Sequence, residues 1–178
     1  MTETTLLSAG DIRRIIDENA ARILREVKDI ERFAIVGVQT RGVELANRIR
    51  AKIEELSGKK IDSGVLDITF YRDDLATRGV LPVIKETRIE FNISNRTILL
   101  VDDVIFTGRT TKAAIETLMS FGRPRAIRLF VLVDRGNREL PLQPDYCGHK
   151  IETGLEDRVK VLLEPIDRVE DMVMLSRP

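Results

Sequence analysis

Among 178 residues there is one cysteine, Cys147, and one histidine, His149. A lone cysteine excludes an internal disulfide framework and a cysteine-rich zinc site. A lone histidine excludes a multi-histidine metal site. Net charge is absent too, because 29 basic and 29 acidic residues cancel. Overall charge therefore gives no general attraction to nucleic acid, and only a local basic patch can supply one. No apolar run approaches the roughly 18 residues that a membrane span needs, since Arg, Lys, Asp or Glu interrupts every one. Residues 1–10 lack the basic-then-apolar layout of a secretory signal. No repeat, low-complexity tract or Pro/Gly-rich linker divides the chain. A cytoplasmic protein with no membrane association is the expectation.

What is present is a globular balance, 43% hydrophobic and 33% charged, at a length that fits one domain over residues 1–178. Ser8 is a candidate N-cap with Asp11 three residues on. Ile12, Ile15, Ile16, Ile23, Leu24 and Val27 then share one helical stripe. Phe33–Val38 reads as a buried strand. A second helix presents Val43, Leu45, Ala46, Ile49, Ile53 and Leu56, and Gly58 stops it. Val65–Tyr71 alternates as a strand. The charged stretch 72–86 is long for a connection and predicts a mobile functional loop. Thr87–Phe91 resumes a strand pattern, and Thr97–Val101 is the most apolar and central strand. A helix over 110–121 closes at Gly122 and Pro124. Strands follow over 126–133, near 159–163 and over 172–175. The alternation predicts an α/β fold with a mainly parallel central sheet flanked by helices. Ligands then sit beyond the carboxyl ends of the strands, after Val38, Val101 and Val133.

The segment after Val101 is chemically loaded. Asp102 and Asp103 leave an apolar strand, and Thr107, Gly108, Arg109 and Thr110 lead into a helix. Helix-start N–H groups favour an anion, and Gly108 permits close approach. It is not a Walker loop, because no Gly-Lys-Ser/Thr follows. Two carboxylates beside a phosphate would repel it unless they had other work, such as hydrogen-bonding the vicinal hydroxyls of a ribose. An isolated Asp-Asp would be only a helix cap on a turn; the whole string says more. Thr40, Arg41 and Gly42 offer a hydroxyl, a guanidinium fork and an open backbone for a second anionic group. The isolated His149 is read as exposed or structurally hydrogen-bonded, and Cys147 as incidental.

The string 101–110 resembles the 5-phosphoribosyl-1-pyrophosphate (PRPP) signature of type I phosphoribosyltransferases. That resemblance implies a type I phosphoribosyltransferase-like fold with a flexible loop over the site. It implies that Asp102 and Asp103 contact the ribose, that Thr107–Thr110 hold the 5′-phosphate, and that Thr40, Arg41 and Gly42 hold pyrophosphate. Arg72 would close over the reacting groups. Asp134, Arg135, Asn137 and Arg138 fall where the fold places its base-recognition loop. Magnesium would enter with PRPP, with no direct protein ligand. Four strings together, Gly-Val-Leu-Asp-Ile-Thr-Phe-Tyr-Arg-Asp-Asp-Leu (64–75), Val-Asp-Asp-Val-Ile-Phe-Thr-Gly-Arg-Thr (101–110), Phe-Gly-Arg-Pro-Arg-Ala-Ile (121–127) and Val-Leu-Val-Asp-Arg-Gly-Asn-Arg-Glu-Leu-Pro-Leu (131–142), are similar to the PyrR family. Its members are bifunctional pyrimidine operon attenuation regulators and uracil phosphoribosyltransferases.

The PyrR resemblance implies UMP synthesis from uracil and PRPP, a homodimer or higher homo-oligomer, and uridine-nucleotide-dependent binding to the pyr mRNA leader. Arg13, Arg14, Arg22, Arg25 and Lys28 of the first helix are the candidate RNA-binding cations. Asp17, Glu18 and Ala21 stand there where relatives tend to carry Thr, Arg and His. Asn137 replaces a usual histidine, and Ile151–Glu156 replaces a Pro/Ser/Arg-rich stretch. Two other functions stay open on the same scaffold. One is an RNA-binding nucleotide sensor with little catalysis, and the other a phosphoribosyltransferase for another base.

Overall fold

A computed structural model describes residues 2–68 and 87–178. Arg72 and the predicted loop 72–86 lie outside the described residues. The strands are β1 (Thr2–Leu7), β2 (Phe33–Val38), β3 (Asp62–Leu66), β4 (Thr97–Ile105), β5 (Ala126–Asp134), β6 (Tyr146–Lys150), β7 (Arg158–Leu162) and β8 (Met172–Arg177). The helices are α1 (Ala9–Glu26), α2 (Arg41–Ser57) and α3 (Arg109–Met119), with a 3-10 turn at Ile30–Arg32.

Five strands form a parallel sheet in the order β3-β2-β4-β5-β6. A second, antiparallel sheet has the order β1-β8-β7. The expectation of a mainly parallel central sheet holds, with β4 in the middle of it. The small antiparallel sheet is an addition that the sequence pattern did not disclose. Successive side chains on a strand point to opposite faces, and the core divides accordingly. Phe33, Ile35, Leu99, Val101, Phe130 and Leu132 join α1, α2 and the second sheet in one cluster. Ala34, Val36, Ile98, Leu100, Leu129 and Val131 join α3 in another. Both faces of β2 are buried along its whole length, which is why Phe33–Val38 reads as a continuous apolar run rather than an alternating one.

Helix α1 begins as its sequence predicts. The Ser8 hydroxyl accepts from the Asp11 N–H at 3.3 Å, and the Asp11 carboxylate accepts from the Ser8 N–H at 3.0 Å. This reciprocal cap stabilises a helix start by about 1 kcal/mol. Its stripe of Ile12, Ile15, Ile16 and Ile23 is at most 5% exposed. Helix α2 ends at Gly58, which takes the left-handed conformation.

Three predicted boundaries move. Strand β3 starts earlier, at Asp62, and among the described residues its regular pairing runs to Leu66, while 69–71 of the predicted strand lie outside them. Thr87–Phe91 is not a strand; it makes a single antiparallel bridge, Arg88 to Val65. Strand β4 runs on past Val101 to Ile105, because pairing with β5 continues through Asp102 and Val104. Asp102 and Asp103 therefore lie within the last turn of pleat, not in a loop after it.

Candidate active site

Parallel strands bring their carboxyl ends to one edge, so the segments after β2, β4 and β5 become neighbours. Helix α2 approaches β4 closely. A side-chain carbon on Gly42 would lie 2.5 Å from the Val101 carbonyl oxygen, so only glycine fits there. Thr40 stands at the N-cap position of this helix without a side-chain capping bond, and the Gln39–Thr40 peptide is cis.

Asp102 is buried and Asp103 is half-buried. The Asp102 carboxylate accepts from the Asp103 N–H at 2.9 Å, and that of Asp103 from the Val104 N–H at 2.9 Å. Past Val101 the strict alternation breaks, since Val104 packs with the α2-side cluster and Ile105 with the α3-side one. Arg41, at the first position of α2, senses the Asp103 charge.

The next loop is tied to the loop after β5. Gly108 adopts φ +92, a conformation that glycine takes without cost. It lies against Leu140 and Leu142. The Thr107 carbonyl accepts from the N–H groups of Glu139 and Leu140. Arg109 donates to Glu139 at 2.6 Å. Arg138 donates to the Phe106 carbonyl at 2.9 Å and to Asp134 at 2.7 Å. Helix α3 starts at this junction, with first-turn N–H groups that have no intrahelical acceptor. Burial works to raise the Asp134 carboxyl, but hydrogen bonds from Arg138 and the Gly136 N–H outweigh it and hold it below the usual range.

Of the four predicted base-contacting residues, the structure engages each within its own neighbourhood. Arg135 donates to Thr153, to the Gly154 carbonyl and to the Asp157 carbonyl. Its guanidinium lies 3.9 Å from the centre of the Phe106 ring, a favourable cation–π distance. Burial lowers its pKa, with the Asp157 charge opposing. Asn137 has φ +56 and donates to the Thr153 carbonyl at 2.8 Å. Asp134 and Arg138 pair with each other. These side chains shape the loop, and what they present to the site edge includes exposed Asn137.

Arg41 has a partner that the sequence did not suggest. Its guanidinium meets Asp167 with two donors, at 3.0 and 2.5 Å. Seven residues on, Arg48 pairs with both Glu44 and Asp171 and donates to the Glu164 carbonyl. Hydrogen bonding to Asp167 raises the Arg41 pKa against the effect of burial. The same bond lowers the Asp167 carboxyl. Burial works to raise Asp171, and Arg48 overcomes it to leave that carboxyl lowered as well. These two pairs attach the β7–β8 connection to α2. Glu139, Phe106 and Thr153 were likewise missed. Nothing local marks them, because each acts across 16 or more positions of chain.

The candidate RNA cations separate. Arg14 lies between Asp11 and Glu18, and Arg13 acts on Asp171. Arg22 pairs with Glu26 at 2.9 Å and lies over the Tyr146 ring. Arg25 and Lys28 are exposed near the end of the helix. Cys147 is half-buried, which raises its thiol pKa and suits an unreactive role.

The comparisons with known proteins bear on the fold and the family. A family model described as the phosphoribosyl transferase domain matches residues 3–164. A bifunctional protein PyrR from Caldicellulosiruptor bescii is 48% identical over 91% of this chain and 89% of its own. One from Deinococcus radiodurans is 46% identical over 99% of this chain and 96% of its own. Among solved structures, a hypoxanthine phosphoribosyltransferase from Trypanosoma cruzi aligns with a TM-score of 0.73 over 98% of this chain and 97% of its own. At 17% identity that likeness bears on the fold alone. With this fold, and with these relatives matched over nearly their full lengths, the chain belongs to the PyrR family of phosphoribosyl transferase domain proteins.

Proposed function

We propose that the protein transfers phosphoribose from PRPP to uracil, giving UMP and diphosphate, and that it regulates pyrimidine genes by binding pyr mRNA when uridine nucleotides are abundant. The carrying observation is that Asp102 and Asp103, the Thr107–Thr110 loop and the Thr40–Gly42 helix start share one sheet edge in a chain of the PyrR family. In this reading the protein is one domain over 1–178, cytoplasmic and homo-oligomeric.

The reaction breaks the bond from the anomeric carbon to pyrophosphate and forms a bond to a uracil ring nitrogen, which gives up its proton. Positive charge grows on the ribose as pyrophosphate leaves. Asp102 and Asp103 hold the ribose hydroxyls and favour that charge. Thr107, Gly108, Arg109 and Thr110 hold the 5′-phosphate at the α3 start. Thr40, Arg41 and Gly42 hold pyrophosphate, and Arg41 must share its guanidinium between that group and Asp167. Two neighbouring carboxylates are too few for a protein cage around magnesium, but suit an ion carried by pyrophosphate and ribose oxygens. Such an ion would neutralise the leaving group. The loop containing Asp134, Arg135, Asn137 and Arg138 would present the base.

The test is a product assay with PRPP, magnesium and each free nucleobase. UMP from uracil, with little product from hypoxanthine or guanine, is expected. Product from a purine alone would replace uracil by another base. No product from any base, with UMP still bound, would leave the nucleotide-sensing regulator.

A further inference from the structure

Arg41 and Asp167 stand 126 positions apart in the chain and meet as a fixed pair. Asp167 follows β7, where its N–H donates to the Leu163 carbonyl at 2.9 Å and its carboxylate accepts from the Leu163 N–H at 2.9 Å. Leu163 is fully buried in the core cluster that includes α2. The core therefore sets the place of the Asp167 carboxylate. Its side chain is 14% exposed, against 30% for Arg41.

The pairing uses one side of the guanidinium. Arg41 Nε donates to one Asp167 oxygen at 3.0 Å, and Nη2 donates to the other at 2.5 Å. A guanidinium holds its N–H donors in a rigid plane. Among the described residues Nη1 has no acceptor. The Nη1–Nη2 fork thus stays open for an oxyanion, which such a fork grips with two parallel bonds. Arg41 is also the first residue of α2, where helix-start N–H groups favour the same charge. Asp103 lies close enough for its charge to act on Arg41, so the pair belongs to the site edge.

Attachment alone does not account for the pair. Farther along α2, Arg48 already braces the same segment through Asp171 and the Glu164 carbonyl. Without Asp167 a long side chain at a helix start would sample many rotamers, and an arriving anion would have to order it. With Asp167 that ordering precedes the substrate, which strengthens binding by preorganisation. Repulsion of the substrate by a further carboxylate is offset, because Asp167 accepts two N–H bonds from the Arg41 cation and one from Leu163.

We infer that Asp167 is a positioning residue for phosphoribosyl transfer: it fixes the plane of Arg41 so that the open fork receives the pyrophosphate group of PRPP. The inference rests on the proposed function in placing pyrophosphate at Thr40–Gly42.

The test is steady-state kinetics with product inhibition. Asp167→Asn keeps the side chain's volume but sets an NH2 group against an Arg41 donor in either amide orientation, so the two-bond contact is lost. KM for PRPP should rise about tenfold, within the roughly 30-fold that disordering a whole Arg side chain represents. Inhibition by pyrophosphate should weaken by the same factor. Inhibition by UMP, which carries no pyrophosphate, and KM for uracil should stay within about twofold of wild type. Asp171→Asn, which loosens the same segment at Arg48, should leave the PRPP and pyrophosphate constants within about twofold. Arg41→Ala should weaken both, and adding Asp167→Asn to it should change neither further. Where Asp167→Asn folds poorly by circular dichroism, Asp167→Glu keeps the charge but displaces it, and the same split between pyrophosphate and UMP is expected. Equal losses of pyrophosphate and UMP affinity would make Asp167 a structural brace and overturn the inference. So would unchanged or tighter use of PRPP in Asp167→Asn, or a full additional effect in the Arg41→Ala background. If Arg41→Ala itself keeps wild-type constants for PRPP and pyrophosphate, the placing of pyrophosphate fails, and the inference with it.

Discussion

Asp102 and Asp103 are adjacent in sequence but differ in setting, since one is buried and the other half-buried beside Arg41. Their carboxylates already accept neighbouring N–H groups, and an amide oxygen can accept those bonds too. Asp103→Asn should therefore leave the fold intact while removing the charge that we propose favours the ribose transition state. We expect kcat/KM for PRPP to fall about 100-fold, the usual scale for losing one such electrostatic contact. Circular dichroism should be unchanged. Wild-type kinetics in both Asp102→Asn and Asp103→Asn would remove the ribose assignment. Asn137 poses a second residue-scale question. Its amide donates to the Thr153 carbonyl at 2.8 Å from a left-handed backbone, a conformation that asparagine tolerates better than most residues. Asn137→His gives up that fit and introduces a group that titrates near pH 6.5. The pH profile of uracil turnover should gain an inflection near that value, and an unchanged profile would make the substitution neutral for catalysis.

At the scale of elements, the junction of α2 with β4 governs whether the two segments proposed to hold anions meet. Gly42→Ala would drive a carbon toward the Val101 carbonyl, where the ideal position is 2.5 Å away. Overpacking of this kind costs about 1–3 kcal/mol, and here it also displaces Thr40 and Arg41 from Asp103. Thermal unfolding should shift down, and KM for PRPP should rise more than KM for uracil. Equal changes in the two constants would locate the damage elsewhere. This junction was legible in sequence because its parts are local: an apolar run, a Thr-Arg-Gly start and a helical stripe. Strand β2 was read with its observed ends, and α1 with its cap, for the same reason. Strands β1 and β6 were not found. Thr2–Leu7 is mostly exposed and polar, and it becomes a strand by pairing with Met172–Arg177 at the far end of the chain. Tyr146–Lys150 has five residues, including a glycine, and gains order as the sheet's outer strand. In the loop after β5, the residue types were read correctly as polar and charged. Their bonds to Phe106, Thr153 and Gly154 depend on tertiary approach and had no local sign.

For the molecule as a whole, the parallel sheet carries the predicted chemistry, and the antiparallel sheet is attached to it partly by charge. Arg41 with Asp167, and Arg48 with Asp171, join α2 to the connection between β7 and β8. Both carboxyls are held below their ordinary value of 3.8 in the folded chain. A carboxyl with a depressed folded-state pKa adds stability that is complete well above its unfolded value. That stability drains as pH falls through the unfolded and then the folded value. Stability to urea should therefore be level from neutral pH to about pH 5 and decline below about pH 4. In the proposed function Arg41 also holds pyrophosphate, and on that reading the same acid range should change PRPP binding in protein that is still folded. The control is Asp171→Asn, which removes one titrating partner at Arg48 without touching Arg41. It should lower the neutral-pH urea midpoint and reduce the loss between pH 5 and pH 3, while PRPP affinity at neutral pH stays near wild type. A variant with the full wild-type acid decline would show that other carboxyls set the pH dependence and that the Arg48 pair is not part of the attachment.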